Sequence, residues 1–295
     1  MANKEIIISG GTFNTPQILM LSGVGDQDHL KEFNISVVAH VPGVGRNMMD
    51  RYEIPIVLKF DRKFNLLKDC KFTPTSDDPC YMEYITKGAG PYTSNGVLSG
   101  QLRKSSPQLE EPDMFILNVL ADFHGYFKGY SNNFDNRADS ATRLILKAHT
   151  NSTNGRVKLL SPDPFDVPDI HFHSFSDGDS DLNILVDAIK RERGFLNQRM
   201  LVPYTELYPG PHIQTDDEIR KYIKDLAWGH HACCTAKMGT PDDPSAVVDA
   251  KFRVRGVKNL RVVDMSIFPK IPGYFPTLYI HMMAMKAADD IASTF

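Results

Sequence analysis

The chain has 295 residues, 42% of them hydrophobic, which is enough to bury a core in one large domain or two modest ones. Its net charge is −3 at pH 7, so it lacks the basic balance that is typical of a nucleic-acid-binding protein. No apolar run approaches the roughly 18 residues that a membrane-spanning helix needs.

The chain opens with a predicted strand, a glycine-rich turn and a helix. Ile6–Ile8 is a run of β-branched residues, as in a parallel strand that is covered on both faces. Pro16 suits the first turn of a helix and Thr15 suits its N-cap, so the helix is predicted to begin near these residues and to end before Gly23. A further strand is predicted from about Ile54.

The second half of the chain contains more regular patterns. Residues that alternate around Asn154 and Gly155 predict a β-hairpin. A helix is predicted from Ser180 to Met200, with one apolar face formed by Leu182, Leu185, Val186 and Ile189.

Three more elements complete the predicted order. Thr215, with Glu218 three residues further on, forms the capping box of another helix. Residues 258–273 predict a strand and a loop. A closing helix is predicted from about Pro276 towards Ala292.

One stretch, "WGHHACCTAKMGTPDDPSAVVD" at 228–249, concentrates residues that carry chemistry. Zinc ligands usually lie two to five residues apart, whereas these histidines and cysteines are adjacent, and neighbours on an extended segment point to opposite sides. A metal site, a cysteine nucleophile with a histidine base, and a loop histidine beside buried thiols all remain open. The four cysteines are too few and too irregularly spaced to predict a disulfide scaffold.

Three segments resemble the glucose–methanol–choline (GMC) family of FAD-dependent oxidoreductases, particularly its fungal members. "GTFNTPQILMLSGVG" at 11–25 matches the second signature of that family. "HHACCTAKMG" and the following "DPSAVVDAKFRVRGVKNLRVVDMSIFP" resemble its C-terminal catalytic block, and "PTLYIHMMAMKAADDI" is similar to its closing helix.

The resemblance implies the fold class α/β and α+β. Residues 1–51 and 228–295 are expected to form the remnant of an FAD-binding Rossmann-like domain. Residues 52–227 are expected to form a substrate-binding domain with a mainly antiparallel sheet and flanking helices.

The resemblance also implies a partial chain. Members of the family begin with a strand, a GxGxxG turn and a helix that hold the FAD pyrophosphate, and this sequence has no such motif. We therefore expect a C-terminal half that is inactive by itself and whose partner is the N-terminal half of the enzyme. Any signal peptide would lie in that half, so the compartment is left open.

The catalytic histidine of the family falls on His231, counted back from "KMG". Oxidation of an alcohol requires removal of the hydroxyl proton while a hydride leaves carbon, and a neutral imidazole can accept that proton. The family usually has a second His or Asn ahead of the closing helix, where this sequence has Tyr274. Its phenol could donate a hydrogen bond to the substrate oxygen or could pack over the flavin.

FAD is the implied cofactor, and no metal ion is expected. The resemblance places the flavin beside the N-terminus of the closing helix and beside two loops. The cofactor contacts predicted in this way are Asn47, Asp264, Met265, Phe275, Pro276 and Thr277.

The predicted function is oxidation of the CH–OH group of a small-molecule alcohol or sugar, with hydride transfer to FAD. Two alternatives stay open. The family also contains hydroxynitrile lyases, which use the histidine without net oxidation, and the chain could be a truncated product without activity.

Overall fold

A computed structural model describes residues 2–64, 66, 67, 69–94, 96–130 and 139–294. The strands are β1 (Ile6–Ile8), β2 (Val24–Gly25), β3 (Ala39–His40), β4 (Tyr52–Phe60), β5 (Val97–Arg103), β6 (Met114–Val119), β7 (Ser140–Lys147), β8 (Arg156–Lys158), β9 (Asp169–His171), β10 (Tyr204–Tyr208) and β11 (Leu260–Val262). The α-helices are α1 (Gly11–Leu21), α2 (Gln27–Glu32), α3 (Pro79–Lys87), α4 (Ser180–Arg199), α5 (Asp216–Leu226) and α6 (Pro276–Ala292).

The chain folds into two compact units. Unit 1 comprises Met1–Arg51, His149–Gly178 and Gly229–Phe295, and unit 2 comprises Tyr52–Ala148 and Asp179–Trp228. Within the part of the chain that the structure describes, no helix is both long and apolar enough to cross a lipid bilayer.

Residues 149–178 belong to unit 1, although the sequence analysis places them in the middle domain. The reason is backbone pairing: the Met48 N–H donates to the Gly155 carbonyl at 2.9 Å, and the Val157 N–H donates to the Gly45 carbonyl at 2.7 Å. The predicted hairpin around Gly155 is therefore wrong. β8 pairs with β9 instead, and β7 pairs with β4 and β6.

In unit 1, β1 and β11 form a two-stranded parallel sheet with Ile6 opposite Leu260. The predicted strand is confirmed, but its predicted burial on both faces is wrong, since Ile6 is 55% exposed and Ile7 is 45% exposed. The main core cluster of this unit lies elsewhere. Its fully buried members include Leu19, Leu30, Val247, Val248 and Val262.

Helix α1 begins at Gly11, earlier than the predicted start near Thr15 and Pro16. The cause is a distant carboxylate: Asp264 Oδ2 accepts the Gly11 N–H at 3.0 Å and the Thr15 hydroxyl at 2.5 Å. A side-chain acceptor for an early N–H group stabilises a helix N-terminus, so Asp264 replaces the cap that the sequence suggests.

Pro16 consequently lies inside α1, where it has no N–H to donate to the Thr12 carbonyl. The Thr235 hydroxyl donates to that carbonyl instead, at 2.6 Å. The Thr12 hydroxyl in turn donates to the Ala232 carbonyl at 2.6 Å. These two bonds tie α1 to the segment that follows His231.

Unit 2 is built on a five-stranded antiparallel sheet with the strand order β10-β4-β7-β6-β5, which confirms the predicted antiparallel sheet. The long pairing of β4 with β7 runs from Tyr52 opposite Lys147 to Lys59 opposite Ser140. The predicted apolar face of α4 is buried, which confirms that prediction. The predicted capping box of α5 is also present.

A buried carboxylate on α4 anchors two arginines of unit 2. Glu192 is 1% exposed and accepts hydrogen bonds from Arg103 Nη1 at 2.8 Å and from Arg143 Nε at 2.9 Å. The Arg143 guanidinium also lies over the Phe195 ring at 5.0 Å. Buried charges of this kind are tolerated because each has a partner.

We predict that Glu192→Ala destabilises the protein by about 3–5 kcal/mol, because it leaves the buried Arg143 guanidinium without its partner. Urea unfolding followed by circular dichroism measures the change. Asp187→Ala, on an exposed position of the same helix, is the control and should change stability by less than about 0.5 kcal/mol. Equal losses in the two variants would contradict a special role for Glu192.

Candidate active site

His231 lies in a segment of unit 1 outside the helices and strands, residues 229–235, which we call the His231 segment. Its backbone N–H donates to Asp50 Oδ1 at 3.0 Å. Its ring is half-buried and contacts the Phe275 ring edge to face, with 5.8 Å between the centroids. The structure therefore brings together the predicted base and a predicted cofactor contact from the start of α6.

The imidazole of His231 is held in its neutral form. Burial lowers its pKa to about 3, and the positive charges of His230 and Arg51 act in the same direction. Arg51 is 1% exposed, and its Nη2 donates to the Pro272 carbonyl. A histidine that is neutral near pH 7 can accept a proton, which is the property that the predicted role requires.

The neighbouring His230 is a poorer candidate. Its ring lies 4.0 Å from that of His231, but the residue is exposed, whereas His231 is half-buried. The two histidines thus differ in solvent exposure, and the difference favours His231 as the candidate base.

Asp50 is a site residue that the sequence analysis missed. Its carboxylate accepts the Arg51 N–H at 2.7 Å in addition to the His231 N–H. Gly229 is packed so closely that a Cβ at this position would lie 2.5 Å from the carboxylate carbon. Asp50 is 181 positions away from His231, so no local pattern could have indicated the contact.

The N-terminus of α6 presents polar backbone groups. Phe275 is the N-cap residue, and its side chain makes no capping hydrogen bond. Pro276 is buried at the first helical position, and Thr277 is exposed. Free N–H groups and the positive end of the helix favour a ligand with acceptor atoms or negative charge. Tyr274 is half-buried directly before this turn, and its substrate contact stays a prediction.

The carboxylate of Asp264 is engaged within the protein, because its second oxygen accepts the Ser266 N–H at 2.7 Å. Met265 lies beside the His231 segment, since its carbonyl accepts the Cys234 N–H at 3.3 Å. The loop at Asp264 and Met265 is thus next to the candidate base. A cofactor contact by either residue remains a prediction.

Asn47 adopts a left-handed backbone conformation with φ of 62°. Its Nδ2 is buried and has no hydrogen-bond partner among the described residues. Asn47 lines a cavity of about 290 Å³ together with Arg46, Asn154 and Arg156. Within the described part of the chain, the other predicted site residues do not line this cavity.

All four cysteines are paired, as Cys70–Cys80 and Cys233–Cys234. The number and spacing of the cysteines did not predict this pairing. A disulfide sulfur is not a thiolate, so in this state neither Cys233 nor Cys234 can ligate a metal or attack a substrate. That removes cysteine from two of the interpretations that the sequence left open.

The residues present fit FAD, a large cofactor with many hydrogen-bond acceptors. The start of α6 offers N–H groups that have no side-chain cap. Asn47 Nδ2 and the fully buried Ser266 Oγ lack hydrogen-bond partners among the described residues, and buried polar groups normally have one.

Comparisons with known proteins agree with these features. Two family models, both described as GMC oxidoreductase, match residues 1–53 and 150–284, which is more than half of the sequence. The chain belongs to the GMC oxidoreductase family. FAD is the cofactor of that family, as predicted, and family membership makes it the cofactor here.

Curated relatives include mitochondrial choline dehydrogenase of Homo sapiens, which is 36% identical over 98% of this chain and 48% of the relative. The oxygen-dependent choline dehydrogenase of Staphylococcus aureus (strain MSSA476) is 34% identical over 98% of this chain and 50% of the relative. The chain thus spans about half the length of these curated relatives.

Solved structures show the same fold. A variant of formate oxidase from Aspergillus oryzae RIB40 aligns with a TM-score of 0.81 at 24% identity, over 100% of this chain and 55% of that one. An FAD-dependent oxidoreductase from Chaetomium thermophilum aligns with a TM-score of 0.80 at 23% identity, over 99% and 56%. The predicted fold class is confirmed: α/β and α+β, with the remnant of a Rossmann-like FAD-binding domain together with a mainly antiparallel sheet and flanking helices.

The environment of Asp50 predicts how stability depends on pH. Burial raises the pKa of its carboxyl from 3.8 to about 6, although the two backbone N–H groups oppose the shift. Between about pH 4 and pH 6 the native state holds a proton that the unfolded state has released, so the free energy of unfolding falls as pH rises. The full effect is about 3 kcal/mol, reached above about pH 6.

We expect Asp50→Asn to remove this dependence, because asparagine does not titrate. Urea unfolding of both proteins at pH 4, 5, 6 and 7 gives the measurement. The stability of the wild type minus that of the variant should fall by about 3 kcal/mol from pH 4 to pH 7. A difference that stays constant, or that rises with pH, would show that the Asp50 carboxyl is not perturbed in this direction.

Proposed function

We propose that this chain carries the catalytic base of an FAD-dependent oxidoreductase that acts on the CH–OH group of an alcohol, and that His231 is that base. The observation that carries the proposal is the neutral, half-buried imidazole of His231, which Asp50 holds through the backbone and which faces the Phe275 ring at the start of α6. In this assignment unit 1 contains the cofactor-side residues, and unit 2 is the substrate-binding unit.

The proposed chemistry begins with transfer of the hydroxyl proton to the imidazole of His231. The alkoxide that forms carries negative charge, which the buried guanidinium of Arg51 stabilises. This matters because the burial that keeps His231 neutral also makes it a weak base, and stabilising the alkoxide offsets that weakness. FAD, when bound, supplies the oxidising power by accepting the hydride from carbon.

The start of α6 has a separate role in the proposal. Its first N–H groups, which the N-cap side chain does not bond, favour negative charge on a bound ligand through hydrogen bonds and through the helix dipole. Phe275 excludes water from one side of the His231 ring, which strengthens electrostatic interactions there.

We expect His231→Ala to lower kcat/KM by about 10²–10⁴, the usual contribution of a general base, in the full-length enzyme that carries this sequence. His230→Ala is the matched control and should cost less than about tenfold. Turnover of the alcohol with an artificial electron acceptor gives the rates, and flavin absorbance shows that both variants retain FAD. Equal losses of kcat/KM in the two flavin-loaded variants would contradict the assignment of His231 as the base.

A second observation, in unit 2, narrows the class of alcohol. The carboxylate of Glu53 is buried, and the residue is 1% exposed. The Glu53 N–H donates to the Trp228 carbonyl at 2.8 Å. Burial raises the pKa of Tyr126, and the negative charge of Glu53 contributes to that shift.

Trp228, whose carbonyl accepts the Glu53 N–H, belongs to a cluster of aromatic rings. The ring centroid of Phe123 lies 5.1 Å from that of Tyr126, 6.2 Å from that of Tyr130 and 5.6 Å from that of Trp228. Aromatic faces attract quaternary ammonium groups, and a carboxylate adds a full negative charge. The two curated relatives described above, which are 36% and 34% identical to this chain, are choline dehydrogenases. We therefore propose an alcohol that carries a quaternary ammonium group, such as choline, as the substrate.

Choline and its uncharged analogue 3,3-dimethylbutan-1-ol, which have nearly the same shape, test this assignment. The wild-type enzyme should prefer choline by about ten- to hundredfold in kcat/KM, since an interaction with a charged group is worth about 1.5–3 kcal/mol. Glu53→Gln should reduce that preference to near unity by weakening turnover of choline alone. Glu111→Gln, at an exposed position of the same unit, should leave it unchanged.

An enzyme that turns over both alcohols equally, and whose preference Glu53→Gln does not alter, would contradict the quaternary ammonium assignment. His231 would still be tested independently by the uncharged alcohol.

A further inference from the structure

The disulfide between Cys233 and Cys234 closes a small covalent ring that contains the peptide bond between the two residues. Both residues are fully buried, with 0% exposure. Cys234 has a φ of 82°, in the left-handed region that residues with a Cβ adopt only at an energetic cost. The ring fixes this part of the backbone, because two covalently joined side chains restrict the torsion angles between them.

The ring is held on two sides by backbone hydrogen bonds. Cys233 and Met49 exchange a pair of them: the Cys233 N–H donates at 2.9 Å, and the Met49 N–H donates at 3.2 Å. On the other side, the Cys234 N–H donates to the Met265 carbonyl. Any change in the torsion angles of the ring must therefore strain or break contacts with both neighbouring segments.

His231 is connected to the same support. Its N–H bonds Asp50, the residue directly after Met49, while Cys233 bonds Met49 itself. His231 and Cys233 are thus attached to the consecutive residues Asp50 and Met49. A rotation of the backbone at Cys233 reaches His231 through one intervening residue, and a rotation at Cys234 through two.

We propose that Cys233 and Cys234 are positioning residues for His231 and that their redox state sets the position of its imidazole. This inference rests on the proposed function for its catalytic meaning, but its structural part does not. In the oxidised state the ring keeps the His231 segment in register with Met49 and Met265. In the reduced state Cys234 relaxes towards negative φ, and the His231 segment loses that register.

The chemical step is a two-electron thiol–disulfide exchange with a small dithiol as reductant. The S–S bond between Cys233 and Cys234 breaks, and each sulfur gains a proton and an electron. The dithiol loses two protons and two electrons and closes into a cyclic disulfide. Because both cysteines are buried, exchange requires local opening of the His231 segment.

The first experiment maps the thiols of the 295-residue chain, purified in air without reductant. Free thiols are alkylated at acid pH, and the tryptic peptides are identified by mass spectrometry. We expect the Cys233–Cys234 peptide to be unalkylated and to take up two alkyl groups only after treatment with dithiothreitol. Alkylation of both cysteines before reduction would overturn the proposal.

The second experiment isolates the effect on His231. In Cys70→Ser/Cys80→Ser, the pair at Cys233 and Cys234 is the one remaining disulfide, and histidine labelling makes the ring signals visible by NMR. His231→Gln in the same background assigns the signal. Dithiothreitol should shift the His231 signal reversibly, while the signals of His29 and His124 stay in place. Hydrogen exchange of the His231 amide should become about tenfold faster.

Cys233→Ser/Cys234→Ser is the matched control, since it retains Cys70–Cys80, and its histidine signals should not respond to dithiothreitol. A His231 signal and amide exchange that reduction leaves unchanged would show that the disulfide merely packs in the core. These readouts need neither substrate nor FAD. They can therefore succeed even if His231 is not a base, and they can fail even if it is.

In the FAD-loaded full-length enzyme with Cys70→Ser/Cys80→Ser, reduction should lower kcat about tenfold or more while KM stays within about twofold. Flavin absorbance checks that FAD is retained. A rise in KM with unchanged kcat would contradict positioning of the base.

Discussion

The pairing of residues 45–50 with the His231 segment is the interaction on which the candidate site depends. The Gly45 N–H donates to the Thr235 carbonyl, Met49 and Cys233 exchange two hydrogen bonds, and the Asp50 carboxylate accepts the His231 N–H. The opposite edge of residues 45–50 pairs with Gly155 and Val157. Residues 45–50 thus join two stretches of chain that are far apart in sequence, and the position of the proposed base follows from this pairing.

Asp50 and His231, the titratable groups next to this pairing, reduce the stability of the folded protein. The pKa of Asp50 is raised and that of His231 is lowered, so burial disfavours the charged form of both groups. Because the pKa of His231 is lowered in the folded state, its contribution reduces the free energy of unfolding as pH falls below about 6.5. Because the pKa of Asp50 is raised, its contribution reduces the free energy of unfolding as pH rises towards about 6. Perturbed groups of this kind cluster at functional sites, because a site needs protonation states that water would not give.

Unit 2 contains buried ion pairs. Its buried charges are matched by partners: Glu192 binds two arginines, and Lys147 lies 3.3 Å from Asp113. These pairs allow charge inside a sheet domain without leaving it unsatisfied. In the proposed function, the buried carboxylate of Glu53 and the aromatic rings around Phe123 bind the cationic group of the substrate.

The sequence by itself determined the elements that local patterns specify. The apolar spacing of α4, the capping box at Thr215 and Glu218, and the start of α6 at Pro276 needed only neighbouring residues, and each prediction was confirmed. The resemblance of three segments was also sufficient to identify the family, which the family models confirm, while the role of His231 stays a prediction.

Only the tertiary structure decided features that depend on distant partners. Helix α1 starts at Gly11 because Asp264, 253 positions away, accepts its N–H. Gly155 does not form the predicted hairpin, because its carbonyl accepts a hydrogen bond from the Met48 N–H. The contact of Asp50 with His231 and the Cys233–Cys234 bond were not predicted for a related reason. A hydrogen bond or a disulfide depends on proximity in space, and the neighbouring sequence does not indicate which residues the fold will bring together.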